Sequence, residues 1–146
     1  MTVLWGSLES ACVVAFGKLS GYEQTLDIRA VIITAHLNFQ QRIDAIATLC
    51  EHLAPDYPTL SDYEVVIKQL KAAQKARNKF AHNPISVDES GQVGIAYATA
   101  RGTLKLNMET IHLADIKEAC SKIHKALCSL HSLITGHKVM PIWDRA

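Results

Sequence analysis

Arg77 and His82 stand on one short stretch, Ala76-Arg77-Asn78-Lys79-Phe80-Ala81-His82-Asn83-Pro84, with four residues between them. These two side-chain types can together cleave a phosphodiester without a metal. Arginine offers a permanently charged planar fork to phosphate oxygens. Histidine takes or gives a proton near neutral pH. On a helical wheel of ~100° per residue, Arg77 falls on the same side as Leu70, Ala73 and Phe80, an apolar face. A guanidinium there requires a carboxylate, a phosphate or a cleft open to water, because an uncompensated buried charge is expensive. His82 lies about 140° round the ideal wheel and ~7.5 Å further along the axis. The two can share one half of the cylinder, with Gln74, Asn78 and Ala81 between them, and fraying at Pro84 would bring them closer; on the ideal wheel, one subunit alone does not place both at a single phosphate. A purely structural account also fits these residues: Arg77 paired to a carboxylate of a neighbouring helix, and His82 closing the helix C-terminus, where the dipole favours it.

Lys68, Lys71, Lys75 and Lys79 line one face of the same predicted helix, and no acidic residue occurs between Val65 and Val87. Fifteen basic and fourteen acidic residues leave a net charge of only +1, so bulk charge does not point to nucleic acid and local clustering must. The row either attracts an RNA backbone or is the solvated back of an amphipathic helix. Aromatic interleaving is sparse nearby, which argues against stacking along a single strand.

The elements that must position these groups are helical. At 146 residues the chain has the size of one domain, residues 1–146, and a 49% hydrophobic share argues against disorder. Trp5, Leu8, Cys12, Ala15 and Leu19 recur at helical spacing, and Ser20-Gly21 ends that first helix. A long second helical region carries Ile28, Ile32, Ala35, Phe39, Ile43, Ile46 and Leu53 on one face, with a kink at His36 to Asn38. Pro55 and Pro58 end it. Ser61 and Glu64 have capping-box spacing for a third helix running to about His82, where Pro84 blocks continuation. The period then changes to two: Ile85 to Val87, Val93 to Thr99 and Thr103 to Leu106 read as a small antiparallel meander, with turns at Asp88–Gly91 and Ala100–Gly102. A last helix begins after Thr110 or His112, with Ile116, Cys120, Ile123, Leu127, Leu130 and Ile134 as its seam, and Gly136 closes it. From about residue 137 a tail follows, Val139 to Trp143, suited to docking on a groove.

This layout around Arg77-Asn78 and His82 resembles the HEPN superfamily, the higher-eukaryote and prokaryote nucleotide-binding helical domains, whose motif is an Arg, four to six residues, and a His, commonly opening Arg-Asn. The resemblance implies a mainly α fold: a HEPN-like helical bundle, with the short meander as an insertion between the third and last helices. It implies a homodimer in which two Arg and two His line one composite cleft. It also implies, in catalytic members, a metal-independent endoribonuclease of toxin or phage-defence type. In that role His82 activates the ribose 2′-hydroxyl, Arg77 stabilises the transition state and Asn78 orients a partner by hydrogen bonding, leaving a 2′,3′-cyclic phosphate and a 5′-hydroxyl. The same family contains non-catalytic helical dimers that bind nucleotide, RNA or a protein partner such as an antitoxin. Pro84 occupies the position where toxins paired with a minimal nucleotidyltransferase antitoxin carry a nucleotide-accepting Tyr, so silencing by that route is not expected.

No cofactor motif occurs, and Gly91-Gln92-Val93-Gly94 reads as a turn rather than a phosphate cradle. Cys120, His124, Cys128 and His131 form a row over ~16 Å of helix, which cannot converge on one metal ion, so packing or subunit contact is expected there and no metal. Cys120 is placed in the seam with His124, Cys128 and His131 flanking it. Cys12, Cys50, Cys120 and Cys128 lack paired-motif spacing and are expected as buried free thiols rather than two disulfides. The apolar N-terminus is interrupted by Glu9 and Lys18 and lacks a basic head, so neither signal peptide nor membrane span is expected and the location is taken as cytoplasmic.

Overall fold

The computed structural model describes residues 1–100 and 104–144. Among the described residues there are five α-helices, α1 (Thr2–Leu19), α2 (Ile28–Thr34), α3 (Phe39–Leu53), α4 (Tyr63–Ala81) and α5 (Leu113–Thr135), and the four longer ones share one core. Three strands, β1 (Ile85–Val87), β2 (Val93–Ala100) and β3 (Leu104–Thr110), form an antiparallel sheet between α4 and α5 in the chain. The protein is thus mainly helical with a small sheet, in the order the sequence pattern predicts. Arg101, Gly102 and Thr103, expected as a turn and the start of a strand, lie outside the described residues.

The packing follows the apolar stripes. α1 lies against α3 and α5, and α4 lies against the same two, so the four long helices close a ring. Leu8, Ile43, Ile46, Leu70, Ile123 and Leu130 fill it and are almost wholly removed from solvent. Each such side chain contributes ~1.5–3 kcal/mol relative to leaving it in water. At one end Trp5 and Phe39 pack ring on ring, centroids 4.3 Å apart. Gly17 lets α2 approach α1 closely, since a Cβ there would meet the Ala30 Cβ at 3.1 Å.

Four details differ from the sequence pattern, each for a local reason. The long second region is two helices, because Asn38 starts a new one: its side chain accepts from Gln41 N–H, and the Gln41 side chain accepts from Asn38 N–H. The apolar face is consequently not continuous. Ile28 and Ile32 are 66% and 63% exposed, while Ala30 and Thr34 face inward. The Ser61–Glu64 capping box does not form. Pro58–Leu60 makes a 3-10 turn that takes up the Ser61 N–H, Leu60 is buried, and α4 starts one residue beyond Asp62 without a side-chain cap.

β3 continues to Thr110, four residues past its expected end, and α5 begins where the Asp115 carboxylate accepts from the His112 N–H. Gly136 closes α5 in the left-handed conformation, φ +68°. On α5 the expected seam is rotated: Cys120 is half-buried, whereas His124 and Cys128 are buried and His131 is exposed. The tail explains this, because Trp143 lies over His124, ring centroids 4.5 Å apart. Val139 N–H donates to Ser132 Oγ and anchors the tail's start.

None of Cys12, Cys50, Cys120 and Cys128 is joined in a disulfide. Burial pushes the Cys12 thiol up to about 12 and the Cys50 thiol to about 11, which keeps both un-ionised and unreactive. Among the described residues no helix is long and apolar enough to cross a membrane.

Asp27 sets the start of α2. It accepts from the Arg29 N–H at 2.8 Å, and both its oxygens bond the Arg29 guanidinium at 2.9 and 2.7 Å. The guanidinium bonds hold the Asp27 carboxyl at about 2, below its ordinary 3.8. A depressed carboxylate stabilises the fold above its ordinary pKa and loses that contribution as pH falls through the depressed value. Asp27→Asn keeps the cap but removes the ion pair. The gap in urea midpoint between wild type and Asp27→Asn is expected to be full at pH 6 and to shrink steadily from pH 4 towards pH 2.

Candidate functional site

α4 ends at the motif, and the ending creates the site. Pro84 cannot continue a helix, the chain leaves the helical path at His82 (φ −119°, ψ −2°), and the Asn83 side-chain amide donates to the Lys79 carbonyl freed at the last turn. The Pro84 carbonyl then accepts from Ala96 N–H, so the sheet begins directly after the helix.

The ~140° separation of the ideal wheel is thereby removed. Arg77 Nη1 lies 2.8 Å from His82 Nε2 within a single chain, and it also donates to Asn78 Oδ1 at 3.2 Å. Arginine has no acceptor, so His82 Nε2 receives the hydrogen bond and the imidazole carries its proton on Nδ1. The apolar-face problem is resolved through Trp5: the Arg77 guanidinium lies over its ring, Cζ 5.2 Å from the centroid. Such a contact stabilises a cation by ~0.5–2 kcal/mol. Among the described residues the carboxylate partner of the structural account is not found. The ion pairs among the described residues join Asp27 to Arg29, Asp44 to Lys71, Glu109 to Lys79 and Glu118 to Lys122, and Arg77 belongs to none of them.

The lysine row is not uniform. Lys68 and Lys75 are exposed and make no ion pair among the described residues. Lys71 Nζ sits 3.8 Å from Asp44 on α3. Lys79 is largely covered and bonds Glu109 Oε1 of β3 at 2.7 Å. That bond raises the Lys79 pKa and, together with the Tyr97 hydroxyl, lowers that of Glu109; burial first, and then the bond to Glu109, raises Tyr97. The cluster joins α4 to the sheet, because Ile95 pairs with Glu109 and Tyr97 with Asn107 on facing strands, and alternation puts Ile95, Tyr97 and Glu109 on one face.

Between that face, α4 and α5 lies an open cavity of about 640 Å³, into which Lys75, Asn78, Lys79, Asn83 and Tyr97 contribute. Asn78 touches both this cavity and the Arg77–His82 pair. Tyr97, Glu109 and Asn83 join the site without a signal in the sequence: Glu109 is 30 positions from Lys79 and lies past Leu106, where the alternating pattern was expected to end. Trp5, expected only in the core, also belongs to the site. The Cys120–His131 row brings no ligand set together: among the described residues no group of three or more His, Cys, Asp or Glu side chains is placed to hold a metal ion.

If the Lys79–Glu109 bond is what holds the sheet against α4, Lys79→Gln should speed amide hydrogen exchange at Ile95 and Glu109 and leave Leu70 protected. Unchanged exchange in the sheet would leave its position to chain connectivity alone. Comparison with known proteins finds no family model, no curated protein and no solved structure that matches the chain.

Proposed function

We propose that the protein is a metal-independent endoribonuclease of HEPN type, with Arg77 and His82 as its catalytic pair and Asn78 as the group that orients Arg77. The observation that carries this reading is the direct Arg77–His82 contact at 2.8 Å, with Arg77 seated on an indole rather than neutralised by a carboxylate. A guanidinium placed in that way keeps its charge available for a phosphate.

In the resting arrangement the Nε2 lone pair is occupied by Arg77. A phosphate is the stronger, charged acceptor for guanidinium. Its arrival draws Arg77 into a bond with the non-bridging oxygens and frees Nε2 to accept the 2′-hydroxyl proton. The 2′-oxygen attacks phosphorus, the bond to the 5′-oxygen breaks, and the leaving oxygen takes a proton from water or from the His82 of a second copy. The products are a 2′,3′-cyclic phosphate and a 5′-hydroxyl, so DNA is not a substrate. Two-fold pairing near the end of α4 would set two such pairs around one cleft, although each chain already joins its own Arg77 and His82.

The competing reading is a non-catalytic dimer of the same type that binds RNA, nucleotide or an antitoxin-like protein through this surface. Cleavage of single-stranded RNA decides between them. It is expected to survive EDTA, to fall about 100- to 10,000-fold in His82→Ala and about 100- to 1,000-fold in Arg77→Ala, with both variants folded. Activity that requires a divalent ion, or that persists in both variants, overturns the mechanism.

Backbone contact has its own readout. Of the lysine row, Lys68 and Lys75 are the members without an ion pair among the described residues. Replacing Lys75 with Gln should lower the log–log salt slope of RNA binding by roughly 0.7, and Lys71→Gln should lower it less, since Lys71 lies near Asp44. Equal slopes in wild type and both variants would assign the row to ordinary solvation.

A further inference from the structure

The cavity beside the motif has a composition unlike that of a phosphate site. Lys79 is matched by Glu109 and Lys122 by Glu118, all four lining it, and the other two charged groups of the lining, Lys75 and Asp115, are of opposite sign and make no ion pair among the described residues, so the formal charges of the lining cancel. Its apolar parts are two aromatic rings, Phe80 and Tyr97, and a floor of alanines. At about 640 Å³ it falls within the ~300–1,000 Å³ range of small-molecule sites. A neutral, flat, polar-edged ligand suits it better than an anion.

The two asparagines define the edge that such a ligand must present. Asn78 uses its Oδ1 to accept from Arg77, which leaves its amide N–H groups as donors. Asn83 uses its Nδ2 to donate to the Lys79 carbonyl, which leaves its Oδ1 as an acceptor. The two side chains therefore offer the cavity a donor on Asn78 and an acceptor on Asn83. A nucleobase carries the matching acceptor and donor side by side on its Watson–Crick edge, and it has a face to stack on an aromatic ring.

We infer that this cavity is a nucleobase subsite, holding the base next to the phosphate engaged by Arg77 and His82. The inference rests on the ribonuclease reading for the words "next to the phosphate", and on the cavity alone for the base. Asn78 links the two, because the same side chain that holds Arg77 would touch the base. Occupancy of the cavity would then fix Arg77 for the reaction, and the identity of the flanking base would enter the rate.

The test is titration of the whole protein, followed by 1H–15N NMR of the Asn78 and Asn83 side-chain amides, with each of the four nucleoside 5′-monophosphates and with a short RNA carrying a 2′-deoxy substitution at the cleavage position. The expected result is perturbation of both amides by the RNA and, more weakly, by at least one nucleotide. Tyr97→Ala should weaken this about tenfold through lost stacking. Tyr97→Phe, which keeps the ring, should retain it and reports that the fold is intact.

Cleavage profiles run in parallel. A flanking-base preference in wild type that relaxes in Tyr97→Ala supports the subsite. No perturbation of the Asn83 amide by any ligand, in a protein that still cleaves RNA through Arg77 and His82, overturns the subsite and leaves the nuclease standing. Amide perturbation in a protein with no ribonuclease activity overturns the nuclease and leaves a base-binding cavity. Tighter binding of a free nucleotide than of the RNA overturns the flanking assignment and makes the cavity a nucleotide site.

Discussion

A permanently charged guanidinium at the edge of an apolar core must be compensated, and here the compensation comes from an aromatic ring and an imidazole rather than an acid. Arg77 lies over Trp5, which itself packs on Phe39, so three elements meet where the charge is held: α1, the start of α3 and the end of α4. A carboxylate in place of Trp5 would stabilise the same geometry and would also consume the charge. The indole leaves it able to bind an anion. The position of His82 depends on this as well, since its ring is held by a bond from Arg77 and not by one to an acid.

The sheet is tied to the same few residues. Pro84 ends α4 and its carbonyl is the first acceptor for β2, while Lys79, one turn earlier, bonds Glu109 of β3. The last turn of α4 is thus held on one side by the core through Arg77 and on the other by the sheet through Lys79. A surface His on a free helix end would sample many orientations. Here the chain on both sides of His82 is fixed, and the loss of freedom is met by the fold before any ligand arrives.

The helical frame was legible because the long stripes are strong. Trp5, Leu8 and Cys12 in α1 and Val66, Leu70 and Ala73 in α4 follow the period closely and are buried. What escaped is what depends on tertiary context. Asn38 looked like a weak point in one helix and is the cap of another, a distinction made by the reciprocal bond from Gln41. His124 and Cys128 looked peripheral to the α5 seam and are buried, His124 against Trp143 from a tail whose landing place no periodicity encodes. At the site, Arg77, Asn78 and His82 could be named from spacing alone, and the apolar setting of Arg77 was visible on the wheel. Pro84 pointed to a frayed end that would bring Arg77 and His82 closer, but the direct contact itself was not legible, because an ideal wheel carries no measure of how far the chain departs from it there.

The near-zero net charge takes on a different meaning once the pairs are placed. Opposite charges that cancel in composition also cancel in space around the cavity, where Lys79 and Lys122 are each bonded to an acid. Along α4 the cations without an ion pair among the described residues are Arg77 and the exposed Lys68 and Lys75. On the proposed function a polyanion would meet this charge along α4, where Lys75 also lines the cavity and Asn78 borders both. If the proposed function holds, the charge that attracts a phosphate is Arg77 with the unpaired lysines, while the paired charges of the cavity leave shape and hydrogen-bond pattern to select what enters it, terms that salt screens far less than it screens charge.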